Sequence, residues 1–435
     1  MALVIFIVTF LGVALTRLPK VTLDRPVVAF LGAVAMVVTG ALTFDAAIAA
    51  IDWDTIALLL GMMLVIAGLQ RDGYTQALAA LCLEHARSPR ALLVIVVAVT
   101  GIASAFLVND AVVLVFTPIV VAHCRSRGLN PLPFLLAEAM ASNIGGAATI
   151  TGNPQNVLVG LKSGMSYGAF MFRLLPVAVL SSLALVAATF WLYRKELKAG
   201  EIPPTPPSAG SGQALYKGGI ASSPLSQRGA RGDFLPRGGF PKPSILILAL
   251  VLAGFLSTRW TGLTVPLVAV AGGGLMLVVA RHSPRELFSG VDWLLLVFFG
   301  GLFVVIGGIV GHGYLDWAVD AVPITQDLPG LALLHGISLA LSQIVSNVPY
   351  TVLMLPVLEP QASDLLWLGL ASSATLAGNL TLVGAVANLI VAEQARKDGV
   401  VITFRQFLRL GLPVTLATLL ISLLALWAER LLGWL

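Results

Sequence analysis

Stretch after stretch of this chain stays apolar for about the 20 residues that a helix needs to cross a bilayer core of about 30 Å. That feature leaves few folds open. Ten such stretches run near residues 2–16, 26–43, 55–70, 132–161, 168–193, 244–258, 264–280, 292–311, 364–395 and 407–432. Only 11% of the residues are charged and 58% are hydrophobic, whereas a soluble domain carries about 25% charge. So few charges cannot cover a water-facing surface, which excludes a soluble enzyme, a nucleic-acid binder and a disordered scaffold. A net charge of +5 over 435 residues is no basic patch either. What remains is an all-α polytopic membrane protein. The first run has no basic segment before it, so it reads as a retained span rather than a signal peptide.

Two further apolar stretches, 91–121 and 330–358, are interrupted near the middle by Asn109-Asp110 and by Ser346-Asn347-Val348-Pro349. Their centres are too polar for lipid, so they read as re-entrant hairpins, which survive only where protein or a cavity satisfies the backbone. Basic residues collect on cytoplasmic loops. With both termini outside, 22 of the 26 Lys and Arg residues are cytoplasmic, Arg17, Lys20 and Arg25 among them. Only Lys162, Arg173, Arg259 and Arg430 fall on the other side. Counting either hairpin as a crossing would destroy this bias.

Residues 194–243 are rich in Pro, Gly, Ser and Arg and read as a cytoplasmic linker. They separate an N-terminal transmembrane repeat, 1–193, from a C-terminal one, 244–435. The halves match. Ile51-Asp52-Trp53 aligns with Val291-Asp292-Trp293 at an offset of 240, as do Gly61, Gly68 and Tyr74 with Gly301, Gly308 and Tyr314. Asn109 and Pro118 align with Asn347 and Pro356 at 238; Gly146, Thr149, Gly152 and Asn156 align with Gly378, Thr381, Gly384 and Asn388 at 232. Pro176 aligns with Pro413. Five crossings per half make the second half enter with opposite orientation. This is the inverted repeat of many secondary transporters, with a binding site where broken elements meet at the midplane.

The candidate site residues follow from those breaks. Asn109, Ser346 and Asn347 stand at hairpin tips, where helix ends leave free N–H groups and a partial positive charge. The alternative is that each asparagine only caps its helix. The second constellation is two Gly/Asn/Thr segments, with Asn143, Thr149, Thr151, Asn153 and Asn156 in one and Asn379, Thr381 and Asn388 in the other. Glycine and Pro154 permit unwinding, and Thr and Asn satisfy the freed backbone. Close packing through small residues explains the glycines but poorly explains the asparagines. Among the acids, Asp110 sits at a tip with no base nearby in sequence and is the expected coupling-ion residue. Glu138, four residues before Ser142, is a second relay candidate unless it is solvated near the cytoplasmic end. Glu393 is a weaker one. Asp52 and Asp292, each before a Trp, read as markers of span starts. His123, Cys124 and Cys82 form no thiol cluster for a soft metal or substrate. No paired catalytic acids or Ser/His constellation points to an enzyme.

These residues resemble the ion transporter superfamily of arsenite permeases, the pigmentation P protein, and citrate and dicarboxylate carriers. The resemblance spans nearly the whole chain. Its most specific pieces are Ile144 through Asn156, Ser346 through Pro349, and Asn109 through Ala122, the last similar to the hairpin of arsenite permeases. It implies a scaffold and a moving transport domain, commonly dimers, and elevator-type alternating access. The dicarboxylate branch carries Ser-Asn-Thr at both tips, whereas Val108-Asn109-Asp110 and Ser346-Asn347-Val348 stand here. An Asp at the first tip suits proton coupling. No Arg or Lys within the spans is expected to neutralise a multivalent anion, which favours a neutral or weakly charged oxyacid. The expected function is therefore proton-coupled efflux of arsenite or antimonite across the cytoplasmic (inner) membrane. The alternatives are a sodium- or proton-coupled carrier of dicarboxylates or other anions, or a channel. No cofactor beyond the coupling ion is expected. Expected partners are the small oxyacid or anion, the lipid bilayer, a second copy of the chain and, as an option, a soluble ATPase.

Overall fold

The computed structural model describes residues 1–15, 24–198, 243–280, 282–315, 324–361 and 363–435, and regular structure within them is helical. The first half holds α1 (Ala2–Leu15), α2 (Arg25–Val38), α3 (Phe44–Ala50), α4 (Trp53–Arg71) and α5 (Tyr74–Glu84). It continues with α6 (Pro89–Leu107), α7 (Asn109–Ser126), α8 (Leu132–Gly146), α9 (Pro154–Ser163) and α10 (Tyr167–Leu192). The second half holds α11 (Pro243–Thr261), α12 (Val265–Val279), α13 (Pro284–Phe288), α14 (Trp293–Val310) and α15 (Leu328–Val345). It ends with α16 (Asn347–Leu358), α17 (Asp364–Ala377), α18 (Val386–Lys397) and α19 (Phe404–Leu431). By length and apolarity alone, seven described helices can cross a membrane: α4, α6, α10, α11, α14, α15 and α19. Shorter apolar helices, α1, α2, α12 and α17, accompany them.

The starts of the helices follow local chemistry. Ser88, Ser166, Thr264, Asp327, Ser363 and Thr403 each accept an N–H from the first turn of the helix that follows. Asp52 and Asp292 do the same for α4 and α14, as their position before a Trp implied. Ser283 and Glu286 cap α13 reciprocally at 3.3 and 3.0 Å, and these bonds hold the exposed Glu286 carboxyl below its ordinary pKa.

The long runs 132–161 and 364–395 are each two helices joined by an irregular segment, as the Gly/Asn chemistry requires. The run 26–43 is shorter than its apolarity suggested. α2 stops at Val38, and α3 begins separately after the Thr43 cap. The expected linker lies outside the described residues over 199–242, as do Arg17, Lys20 and Arg281 and the side chain of Cys82. At its near end a single turn, Glu196–Lys198, buries Leu197.

The elements sort into two packing groups, each drawing on both halves of the chain. In one, α4 packs along α12, α2 along α14, and α1 on α2. In the other, α6 packs on α8, α15 on α17 and α10 on α19. The first group repeats its contacts at one offset. Gly61 lies so close to the Ala269 backbone that a methyl group has no room there. Gly301 meets the Ala29 backbone in the same way, an added Cβ falling 2.8 Å from its carbonyl carbon. Seven residues on, Gly68 abuts the Met276 sulfur and Gly308 the Met36 sulfur. Each partner in one pair stands 240 residues from its counterpart in the other. Both contacts advance together along both chains, so α4 runs parallel to α12 and α2 parallel to α14.

Gly61→Ala and Gly301→Ala should therefore each destabilise the protein by about 1–3 kcal/mol, the usual cost of overpacking. Gly300→Ala, where nothing lies within 4 Å of the added Cβ, should leave the melting temperature in detergent unchanged. Equal behaviour of all three would refute the close-approach account.

Candidate functional site

Two chain breaks create the site. Val108 (φ 63°) and Ser346 (φ 82°) are the non-glycine residues with positive φ among the described residues, and they separate α6 from α7 and α15 from α16. A β-branched valine in that region is strained by about 1–3 kcal/mol. The same strain 238 residues apart marks both tips as enforced by their surroundings.

The irregular segments 147–153 and 378–385 are each held by one asparagine. Asn156 Nδ2 lies 3.1, 3.0 and 2.9 Å from the carbonyls of Gly146, Ala147 and Thr149 and donates to them. Asn388 Nδ2 donates to the carbonyls of Gly378 at 2.8 Å and Thr381 at 3.1 Å. Carbonyls freed by unwinding in an apolar setting must find donors, and these amides supply them. Gly152 packs on the Gly146 carbonyl and Gly384 on that of Gly378, which closes both segments.

A chain of amides then links the breaks. Asn109 Nδ2 donates to Asn143 Oδ1 at 3.0 Å, and Asn143 Nδ2 donates to Asn379 Oδ1 at 2.8 Å and to Asn388 Oδ1 at 3.1 Å. Asn109 N–H donates to the Gly152 carbonyl at 2.9 Å. The surroundings orient the Asn347 amide so that Nδ2 donates to the carbonyls of Ala374 at 3.2 Å and Gly384 at 3.1 Å. Asn109 therefore spends its amide on Asn143 rather than on capping α7, and its buried Oδ1 has no donor among the described residues.

The tips open on a cavity of about 270 Å³. Its wall is built from the N-termini of six helices: Arg25 and Pro26 of α2, Asn109 and Asp110 of α7, Pro154 and Gln155 of α9, Asp292, Leu294 and Leu295 around the start of α14, Ser346 to Pro349 of α16, and Ala385 and Val386 at α18. Asn143 completes the polar lining. Four of these N-termini, those of α2, α7, α16 and α18, have no side-chain cap. Each helix N-terminus carries about half a positive charge and free N–H groups. Together they favour a small ligand rich in oxygen.

Of the residues expected from sequence, Asn109, Asp110, Asn143, Ser346 and Asn347 line this cavity. The others stand behind it. Thr149 donates to the Ala105 carbonyl, Thr151 shares a hydrogen bond with Tyr167 at 2.8 Å, and Thr381 donates to Gln343 at 2.8 Å. Asn153 caps α9 and donates to Thr375 at 3.2 Å. Asn156 and Asn388 hold the broken segments, and Asn379 accepts from Asn143 and donates to the Met140 carbonyl at 3.5 Å. Glu138 is fully buried between α7 and α8, not solvated. Its Oε1 accepts from Thr117 at 2.8 Å, and its Oε2 has no partner among the described residues. Glu393 is exposed and pairs with Lys397 at 3.9 Å.

One expectation is overturned. The cavity does hold an arginine: Arg25, assigned from sequence to the cytoplasmic rim, is the first residue of α2 and lines the wall with no ion pair among the described residues. Asp292 does more than mark a span start, since it lines the same cavity close enough to repel Asp110. Thr375, which receives both Asn153 and Gln155 (3.1 Å), also escaped notice. It lies 232 residues after Asn143, so the repeat itself carried the signal. Among the described residues no group of three His, Cys, Asp or Glu could hold a metal.

Removing a holding amide strands carbonyls at about 1–3 kcal/mol each. Asn156→Ala should thus lower the detergent melting temperature more than Asn388→Ala, and both more than Thr381→Val. The reverse order would contradict the assigned roles.

Comparison with known proteins agrees with the architecture. The family described as "Citrate transporter" matches residues 1–368. An uncharacterised transporter of Mycobacterium tuberculosis is 32% identical over 98% of this chain and 97% of its own length. The silicon efflux transporter LSI3 of Oryza sativa subsp. japonica is 31% identical over 93% of both chains. A putative transporter arsB of Dictyostelium discoideum is 27% identical over 96% of this chain and 89% of its own. Among solved structures, the YdaH transporter of Alcanivorax borkumensis shares the fold at a TM-score of 0.51 with 16% identity, covering 100% of this chain and 97% of that one. MtrF of Neisseria gonorrhoeae does so at 0.53 with 13% identity, covering 98% and 93%. A multi-pass membrane transporter rather than an enzyme, this chain belongs to the citrate transporter family within the ion transporter superfamily.

Proposed function

We propose that the chain is a proton-coupled secondary transporter that exports a small oxyacid, with arsenite or antimonite as the best-fitting substrates. The observation that carries this reading is the mixed character of the cavity. Six helix N-termini and Arg25 offer donors, while the orphaned Asn109 Oδ1 and the carboxyls of Asp110 and Asp292 ask for donors in return. An oxyacid brings both hydroxyl groups and oxygen acceptors. A fully ionised tricarboxylate such as citrate brings six carboxylate oxygens and a single hydroxyl donor, and its three negative charges would meet two acids. The names of the rice and Dictyostelium relatives, a silicon efflux transporter and a putative arsB, point the same way.

In this reading Asp110 carries the proton at the cavity, where it has no hydrogen-bond or ion-pair partner among the described residues. Glu138, whose one free oxygen is buried, is the internal relay site. Val113 and Thr117 follow Asp110 at spacings of three and seven, which places them on one face of α7, and Thr117 contacts Glu138. The basic residues orient the protein with both termini outside, so the cavity beside Arg25 and Asp292 opens to the cytoplasm. The two halves are an inverted repeat, and the group containing the tips moves against the other as an elevator.

A second reading, a carrier of carboxylates, draws on Arg25, the uncapped N-termini and the family's description. Everted vesicles decide between them. They should accumulate arsenite or antimonite when a proton gradient is imposed, and citrate should not compete. Asp110→Asn should abolish gradient-driven uptake, Asn109→Ala should cut it at least tenfold, and Glu138→Gln should slow it while leaving substrate binding intact. Citrate uptake with no arsenite uptake would establish the second reading, and uncoupled conductance would establish a channel.

A further inference from the structure

A second cavity, of about 330 Å³, lies at the start of α4, lined by residues 49–51, Asp52, Asp54, Leu161 and Lys162. The 240-residue offset that governs the α2–α14 and α4–α12 contacts also relates the walls of the two cavities. Asp292 corresponds to Asp52, Leu294 to Asp54 and Arg25 to Val265. These correspondences are structural as well as textual, because the glycine contacts recur at the same offset and direction. The wall that now faces the tips therefore holds one arginine and one carboxyl. Its counterpart holds two carboxyls, Asp52 and Asp54, which line the second cavity, and the repeat puts Val265, the first residue of α12, at the arginine's position.

We propose that Arg25 is a substrate-binding residue of one access state only. When the tips pass to the other wall, Val265, Asp52 and Asp54 stand where Arg25, Asp292 and Leu294 stood, and the oxyacid loses its only cationic contact from that wall. The proposal rests on the alternating-access reading above. The formal wall charge falls from zero to −2, so an oxygen-rich ligand beside Asp110 is held in the present state and expelled in the other. Lys162 shares the second cavity now, but it belongs to α9 and travels with the tips. Its repeat counterpart is the neutral Gln394. The inequality between the walls makes the apparent affinity for the oxyacid differ between the two faces, which a symmetric repeat would not.

The test has two arms, both on the full-length chain with Cys82 and Cys124 replaced by Ser. In oriented proteoliposomes, the KM for arsenite is measured from each face. Arg25→Val should raise it about tenfold on one face and less than twofold on the other, and Arg25→Lys should restore most of the loss. Val265→Arg should lower the KM on the opposite face. Equal changes on both faces, or none, would overturn the proposal. In the second arm, Asp54→Cys is paired with Val386→Cys. Val386 and Leu294 now line one cavity, and Asp54 is the counterpart of Leu294. A bifunctional maleimide should link the cysteine pair as the tips reach the second wall, and absence of the link would equally overturn the proposal. If the wild-type carrier moves no arsenite, the substrate reading fails alone; the face-specific KM is then measured with the anion or oxyacid that is carried, and the crosslink still shows whether the tips reach the second wall.

Discussion

Everything at the centre of this protein depends on the satisfaction of backbone groups where helices stop inside an apolar interior. A helix that ends there exposes four N–H groups or four carbonyls with no water to receive them. The protein answers with amides for the carbonyls. Asn156 and Asn388 gather those of the two unwound segments, and Asn109 and Asn143 tie the tips to them. The N–H groups receive less. Four of the six N-termini around the cavity lack side-chain caps. The carbonyls of the unwound segments are thus met by amides, while these N-termini keep their N–H groups free of side-chain caps.

Much of this was legible in the residues. The breaks at Asn109 and Asn347 were visible because polar residues interrupt runs that otherwise suit lipid. The unwound segments were visible because Gly152, Pro154 and Gly384 cannot sustain the helix around them. The repeat was visible because two kinds of position, close-packed glycines and carbonyl-holding asparagines, admit few replacements. What could not be read was direction within the fold. Thr149, Thr151 and Thr381 belong to the right segments, but each turns to a backbone or side-chain partner behind the cavity. Arg25 looked like one more loop base, since sequence position does not tell which side of a helix start a long side chain occupies. Glu138 looked close to water, yet α7 covers it.

The two packing groups were likewise hidden. Apolar periodicity says that a helix is buried but not against what. Here the parallel pairs α2–α14 and α4–α12 each join one helix from either half, so neither half can form this group alone. That interleaving explains why the glycine contacts occur in two copies: each parallel pair sets one glycine against its partner's backbone and a second, seven residues on, against a methionine sulfur.

The repeat is thus faithful in one class of residue and broken in another. Glycines and asparagines that support the backbone recur, as Gly61 with Gly301 and Asn156 with Asn388. Asp52 with Asp292 and Asn109 with Asn347 also recur, but several other residues that carry charge or contact the cavity do not. Asp110 faces Val348 across the repeat, Arg25 faces Val265, Asp54 faces Leu294, Asn143 faces Thr375 and Glu138 faces Leu370. Support must be symmetric if two positions of the tips are to be equally well packed. Charge must be asymmetric if those positions are to differ in their hold on a ligand. A duplicated scaffold supplies the first condition at the outset, and substitution at a few charged positions supplies the second without disturbing it.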